Sequence, residues 1–194
     1  MILQTVLLFG PPGAGKGTQA KRLEKAMTSP HVSTGDMFRD HLGRRSELGH
    51  KVEKIMGAGQ LVPDSLTNDL VRDRLLKPDV ALGVILDGYP RNVAQSKWLE
   101  LFLSGRGLGI RGVVAINVPP QELAARLKGR ALKEGRADDA DEAVIARRIG
   151  DYVAQTEACL DYYRKRGVAV HSISGLGSVE EVEARIHAAL GLRA

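Results

Sequence analysis

Gly10-Pro11-Pro12-Gly13-Ala14-Gly15-Lys16-Gly17-Thr18 stands directly behind an apolar run, Ile2–Phe9, and directly ahead of a helical pattern. Few architectures accept so many glycines between a strand and a helix unless the backbone must wrap something. Glycines let successive N–H groups point inward around an anion, at the positive end of the helix dipole. Lys16 is placed to reach the outer oxygens of a polyphosphate. The general pattern wants Ser or Thr straight after the lysine, whereas this chain has Gly17 and then Thr18. A bare glycine-rich turn would not specify this many features in strand–loop–helix context. The stretch reads as a phosphate-binding loop.

The rest of the chain repeats the alternation. Candidate strands are Ile2–Phe9, His31–Thr34, Val84–Leu86, Val113–Val118 and Val168–Ile173, each followed by a turn and a helical pattern. Ala20, Leu23 and Met27 form the apolar stripe of the first helix, and Val179, Val182, Ile186 and Ala189 that of the last. Ser178 has the position of an N-cap, with Glu180 and Glu181 in the first turn where the dipole favours negative charge. Such alternation implies a parallel sheet with helices on both faces. Two stretches depart from it. Residues 35–76 carry helical patterns with no strand between them, interrupted by Gly57-Ala58-Gly59 and Pro63, and read as a helical insertion. Residues 129–139 form a polar segment and read as a loop excursion over the C-terminal edge of the sheet.

A chain of 194 residues fits one domain. Its single cysteine, Cys159, excludes an internal disulfide framework and a cysteine-built zinc site, and favours a reducing compartment. Apolar runs such as Val6–Phe9 fall far short of the ~18 residues of a membrane span, and no basic leader precedes the first strand, so a cytoplasmic protein is expected. The 28 basic and 23 acidic residues leave a net charge of +5, compatible with a polyphosphate ligand. No segment interleaves aromatic and basic residues as a single-strand nucleic-acid platform would.

Val84-Ile85-Leu86-Asp87 ends a strand in a carboxylate beside the phosphate loop, where Asp87 could hold Mg²⁺ directly or through water. Gly88-Tyr89-Pro90-Arg91 follows, placing an arginine where α/β folds bind ligands. Arg126, Arg130, Arg136, Arg147 and Arg148 lie within 23 residues and read together as a clamp on transferring phosphate. His31, His41, His50, His171 and His187 show no metal-ligand spacing and are read as structural.

GPPGAGKGT, VSTGDMFRD (32–40), GQLVPD (59–64), LDGYPRNVAQ (86–95), RLKGR (126–130) and GRADD (135–139) occur in the order found in adenylate kinases, and the resemblance covers essentially the whole chain. It implies a P-loop nucleoside monophosphate kinase fold: an α/β domain with a five-stranded parallel sheet, a monophosphate-binding helical insertion at 33–62 and a short lid at 129–139. The implied activity is reversible, Mg²⁺-dependent phosphoryl transfer from ATP to AMP by a monomer, without structural zinc, nucleic acid or membrane. Carried over residue by residue, the resemblance ties Gly13, Ala14, Gly15, Lys16, Gly17, Thr18, Arg126, Arg130 and Gly177 to ATP. It ties Thr34, Arg39, Gln60, Leu61, Val62, Gly88, Tyr89, Pro90, Arg91 and Gln95 to AMP. Arg136 and Arg148 would bridge both nucleotides, and Lys16, Arg91, Arg126, Arg136 and Arg148 would serve the transferring group. Asp87 matches the carboxylate that orders water around Mg²⁺. Counting from Arg136 selects Arg147 for the helix arginine, whereas matching Ile145-Ala146-Arg147-Arg148-Ile149 selects Arg148.

A GTP-dependent switch would need Asn-Lys-x-Asp after a later strand, and Ala115-Ile116-Asn117-Val118-Pro119-Pro120 offers nothing of the kind. A UMP/CMP kinase is the nearer rival. Adenylate kinases carry Thr in the STGD motif and Gln four residues after the arginine, where UMP/CMP kinases typically have Ala and Asn. Thr34 and Gln95 therefore point to adenine.

Overall fold

The computed structural model of the chain describes residues 3–135 and 139–192. The elements run β1 (Leu3–Phe9), α1 (Lys16–Met27), β2 (His31–Ser33), α2 (Thr34–Gly43), α3 (Glu47–Gly57), α4 (Asp64–Leu75), β3 (Ile85–Asp87), α5 (Val93–Ser104), β4 (Leu108–Asn117), α6 (Pro120–Glu134), α7 (Glu142–Asp151), α8 (Glu157–Lys165), β5 (Val170–Ser174) and α9 (Val179–Leu190). A wide π-helical stretch, Tyr152–Thr156, joins α7 to α8 without a break.

The five strands form one parallel sheet in the order β2-β3-β1-β4-β5. Side chains alternate across it and both faces are buried. Leu7, Phe9, Leu86, Val113 and Ala115 pack with Val71 and Leu75 of α4, Leu99 and Leu103 of α5, and Cys159, Leu160 and Tyr163 of α8. Val6, Leu8, Ile85, Val114 and Ile116 pack on the other face with Ala20 and Leu23 of α1, Leu123 of α6, and Val182, Ile186 and Leu190 of α9. This double burial is why the central strands read as unbroken apolar runs. The chain leaves β1 toward β2 on one side and leaves β3 toward β4 on the other. The diverging connections open a crevice beyond the C-terminal ends of β1 and β3.

Several boundaries differ from expectation. β2 stops at Ser33, because the Ser33 side chain accepts from the Asp36 N–H and caps α2, which takes Thr34 as its first residue. β4 starts at Leu108, five residues before the apolar run, and its early half pairs with Leu3–Thr5 across a bulge at Thr5/Val6. The 129–139 stretch is helical through Glu134. Ala131, Leu132, Lys133 and Glu134 are good helix formers that outweigh Gly129, and Gly135 ends α6 in the left-handed conformation. The 35–76 insertion breaks at Gly57-Ala58-Gly59 and Pro63 as expected, and once more at Arg44–Ser46 between α2 and α3. The N-cap at Ser178 is present as a full capping box with Glu181. Among the described residues no helix is long and apolar enough to cross a membrane.

Candidate active site

One cavity of about 1150 Å³ occupies the crevice. Its floor is the loop from Gly10 to Gly17, which leaves β1 and turns into α1. Gly15 is the hinge of that turn: its φ of 91° is open to glycine at no steric cost. α1 starts with no side-chain cap and no acidic residue in its first turn. Its first N–H groups therefore face the cavity as an anion site.

Lys16 Nζ lies in the mouth of the loop, donating to Gly10 O at 2.7 Å and Pro11 O at 3.1 Å. Burial, with Arg91, Arg130 and Arg148 nearby, brings its amine down to about 8 against the opposing pull of Asp87. Asp87, the last residue of β3, is 8% exposed and sits where a Cβ on Gly17 would meet its Oδ2 at 3.6 Å. Burial works against its charge, but His31, Lys16 and Arg91 outweigh burial and hold the carboxyl below the usual range. His31 Nε2 stands 3.4 Å from Asp87 Oδ2 and has no hydrogen-bond partner among the described residues. This histidine lines the cavity, which the spacing of histidines in the sequence did not suggest.

The far wall is set by the turn after β3. Gly88, at φ 76°, is squeezed between two elements: a Cβ there would lie 3.1 Å from Thr34 Oγ1 and 3.2 Å from the Arg91 guanidinium. Thr34 Oγ1 donates to Gly88 O at 2.9 Å, and Arg91 Nε donates to the same oxygen at 2.8 Å. One carbonyl thus ties α2 to the arginine. Burial and the neighbouring Arg148 press against the Arg91 charge. Arg39 is held by Asp36 Oδ1 at 2.5 Å. Gln95 reaches back from α5 to accept from the Arg91 N–H at 2.7 Å.

The remaining cations come from α6 and α7. Arg126 donates to Gly175 O at 3.0 Å, beside Gly177 at the end of β5. Arg130 makes a two-pronged contact with Asp139, Nε–Oδ2 2.6 Å and NH2–Oδ1 2.9 Å, and Arg148 NH1 meets Asp139 Oδ1 at 2.8 Å. Asp139 is fully buried. Burial opposes its charge, yet Arg130 and Arg148 hold the carboxyl below its usual range. Arg147 points the other way, donating to Ala58 O at 2.9 Å at the end of α3. The geometry therefore selects Arg148 over Arg147 as the arginine that faces the cavity.

Gly13, Ala14, Gly15, Lys16, Gly17, Thr18, Thr34, Arg39, Gln60, Leu61, Val62, Asp87, Gly88, Pro90, Arg91, Gln95, Arg126, Arg130, Arg148 and Gly177 all line this one cavity. Tyr89 does not. Its ring is 1% exposed, packs edge-on against Trp98 and donates to Asn68 Oδ1 at 2.6 Å, because the apolar body of a tyrosine is worth more in the core. Arg136 lies outside the described residues. Sequence reasoning missed Asp139 as the carboxylate shared by two arginines, and it missed the Asp64–Asn92–Gln95 network. The signal for Asp139 was its place at the end of the GRADD motif (135–139).

The model of the adenylate kinase family matches residues 8–168. The chain is 47% identical over 189 residues to the adenylate kinase of Thermus thermophilus, covering 97% of this chain and 98% of that one. It is 46% identical over 185 residues to the adenylate kinase of Kocuria rhizophila, covering 95% and 97%. The adenylate kinase of Clavibacter michiganensis matches at 47% over 188 residues, covering 97% and 93%. Phosphate loop, flanking carboxylate and converging arginines thus sit in a chain that matches these relatives almost end to end, and the chain belongs to the adenylate kinase family.

Proposed function

We propose that the chain catalyses reversible transfer of the terminal phosphoryl group of ATP to AMP, giving two ADP, by direct in-line displacement. The observation that carries this is the gathering of Lys16, Arg91, Arg130 and Arg148, from three helices and the turn after β3, around one cavity between the phosphate loop and the helical insertion. Phosphoryl transfer asks a protein for positioning and charge neutralisation more than for covalent chemistry. The acceptor oxygen of a monophosphate is already ionised, so no general base is needed.

In this reading the loop N–H groups, Lys16, Arg126, Arg130 and Gly177 hold ATP. Thr34, Arg39, Gln60–Val62, the Gly88 turn, Arg91 and Gln95 hold AMP, and Arg148 meets both with Arg136. Residues 33–62 and 129–139 close over the substrates and keep water from accepting the phosphoryl group. Asp87 fits a Mg²⁺ site: it is a buried, ionised carboxylate facing the first turn of α1, with His31 Nε2 at 3.4 Å from its Oδ2 as a further polar group for water. Mg²⁺ takes one or two carboxylates together with water and substrate phosphates, and would neutralise charge on the phosphate oxygens. Both nucleotide sites lie in one chain, which supports action as a monomer, and the lone buried Cys159 suits the cytoplasm.

The alternative acceptor class, UMP or CMP, is disfavoured by Thr34 and Gln95. The test is an acceptor assay with AMP, UMP, CMP, GMP and dTMP under saturating Mg·ATP. AMP should give the highest kcat/KM, and a higher value for UMP or CMP overturns the acceptor while leaving phosphotransfer standing.

A further inference from the structure

Gln95 is 3% exposed, and its amide is held at both ends by groups that differ in kind. Its Oε1 accepts from the Arg91 backbone N–H at 2.7 Å, and that group can only donate. Its Nε2 donates to Asp64 Oδ1 at 2.7 Å, and a carboxylate can only accept. Turning the amide over would set NH₂ against N–H and oxygen against oxygen. Asp64 is the first residue of α4, just past Pro63, and it also accepts from Asn92 Nδ2 at 2.9 and 3.2 Å. Asn92 in turn caps α5, accepting from the Gln95 N–H at 2.8 Å. The start of α4 is therefore tied to the start of α5 through one carboxylate.

A primary amide has two N–H groups, and its oxygen has two lone pairs. Each end has given one to the protein, so one N–H and one lone pair are left, in a fixed order. A 6-aminopurine offers a donor on its exocyclic nitrogen and an acceptor at the adjacent ring nitrogen. A 6-oxopurine offers the reverse. A freely turning amide could serve either.

We infer that Asp64 is a positioning residue that fixes which way round Gln95 presents its amide, and so makes the acceptor site discriminate 6-amino from 6-oxo purine monophosphates. This rests on the proposal that Gln95 meets the acceptor base. Asp64 does not line the cavity and acts through Gln95, which does.

The probe is inosine monophosphate, which differs from AMP only at the 6-position and the adjacent ring nitrogen. kcat/KM is measured for AMP and for inosine monophosphate in wild type, Asp64→Ala, Asp64→Asn and Gln95→Ala, with thermal melting as a check on folding. Asp64→Ser, which keeps a polar group at the helix start but cannot reach Gln95, takes the place of Asp64→Ala if that variant is not folded. Asp64→Ala should lower the AMP-to-inosine-monophosphate ratio by about tenfold or more, the equivalent of one hydrogen bond, mainly through KM for AMP. Asp64→Asn should recover most of the ratio, because a carbonyl at the Oδ1 position still accepts from both amides. In a Gln95→Ala background, Asp64→Ala should have no further effect on the ratio. A folded Asp64→Ala or Asp64→Ser enzyme whose ratio stays within about twofold of wild type overturns the inference while Gln95→Ala still shifts it. If Gln95→Ala leaves both the ratio and KM for AMP unchanged, the reading of Gln95 itself fails, and the inference falls with it.

Discussion

Replacing Lys16 with methionine should separate activity from stability, in opposite directions. The ammonium is held in a buried site by two carbonyl oxygens while three arginines press on it, and its pKa falls from 10.5 to about 8. That fall corresponds to a preference of about 3 kcal/mol for the uncharged amine in the folded chain relative to the unfolded one. The cavity is open to solvent, so roughly half of this, about 1–2 kcal/mol, should be realised as destabilisation of the empty wild-type enzyme at pH 7. Methionine has similar length and no charge. Lys16→Met should therefore melt about 3–6 °C higher than wild type at pH 7. The sign of the pH dependence follows from proton counts. Between pH 8 and 10.5 the unfolded lysine keeps a proton that the folded one has released, so wild type gains stability across that window. The variant has no such titration, and the gap should close by about pH 10.5. Turnover should fall by at least ~10²–10³, the magnitude seen when one donor to developing transition-state charge is lost. Calorimetry at pH 7 and pH 10, alongside a coupled ADP-formation assay, reads both quantities. A Lys16→Met protein that melts below wild type, or that turns over within a few-fold of it, refutes the reasoning.

Asp139→Asn leaves Arg130 and Arg148 facing each other without their shared charge, and should lower stability by about 2 kcal/mol and reduce kcat/KM for both nucleotides. Because folding lowers the Asp139 pKa, the stability it gives is present above the usual carboxylate value of 3.8 and is lost as pH falls through the folded value, so the wild-type advantage in melting temperature should shrink in acid. A two-adenosine polyphosphate inhibitor should slow hydrogen exchange in 33–62 and 129–139 together; protection confined to the phosphate loop counts against closure by both segments.

The elements that could be read from sequence were those whose pattern had one cause. Strand–loop–helix at Gly10–Thr18 carried its own chemistry, and the apolar cores of β1, β3 and β4 were legible because both faces of the sheet are buried. The early half of β4, Leu108-Gly109-Ile110-Arg111-Gly112, was not, since two glycines and an arginine hide a strand whose pairing is set by β1. At the site, glycines and arginines announced themselves through spacing, and their partners did not. Asp139, Asp64 and Asn92 act across 9 to 31 residues of sequence separation or at helix starts, where Asp and Asn are common for reasons unrelated to function. Arg147 and Arg148 are neighbours in sequence, and only the helical rotation sends one to Ala58 and the other to Asp139.

The wide turn at Tyr152–Thr156 makes the place of a deletion, more than the identity of the residue lost, the sensitive variable of the rod from Glu142 to Lys165. A π-helical turn holds one residue more than an α-turn. Removing one residue there would let the backbone relax to a plain α-helix with both ends keeping their facing, because five π residues and four α residues each sweep about 400°, whereas removing one from α7 or α8 would rotate one end against the other by about 100°. Arg148, upstream, must keep facing Asp139, while Cys159 and Tyr163, downstream, must stay in the core, and Thr156, within the turn, reaches Arg91 O at 3.4 Å. A deletion within the turn keeps the Arg148 and Cys159 demands compatible, and a deletion in α7 or α8 does not. Substitutions along the rod are absorbed locally, whereas a one-residue deletion in α7 or α8 would take either the cation out of the cavity or the sulfur out of the interior.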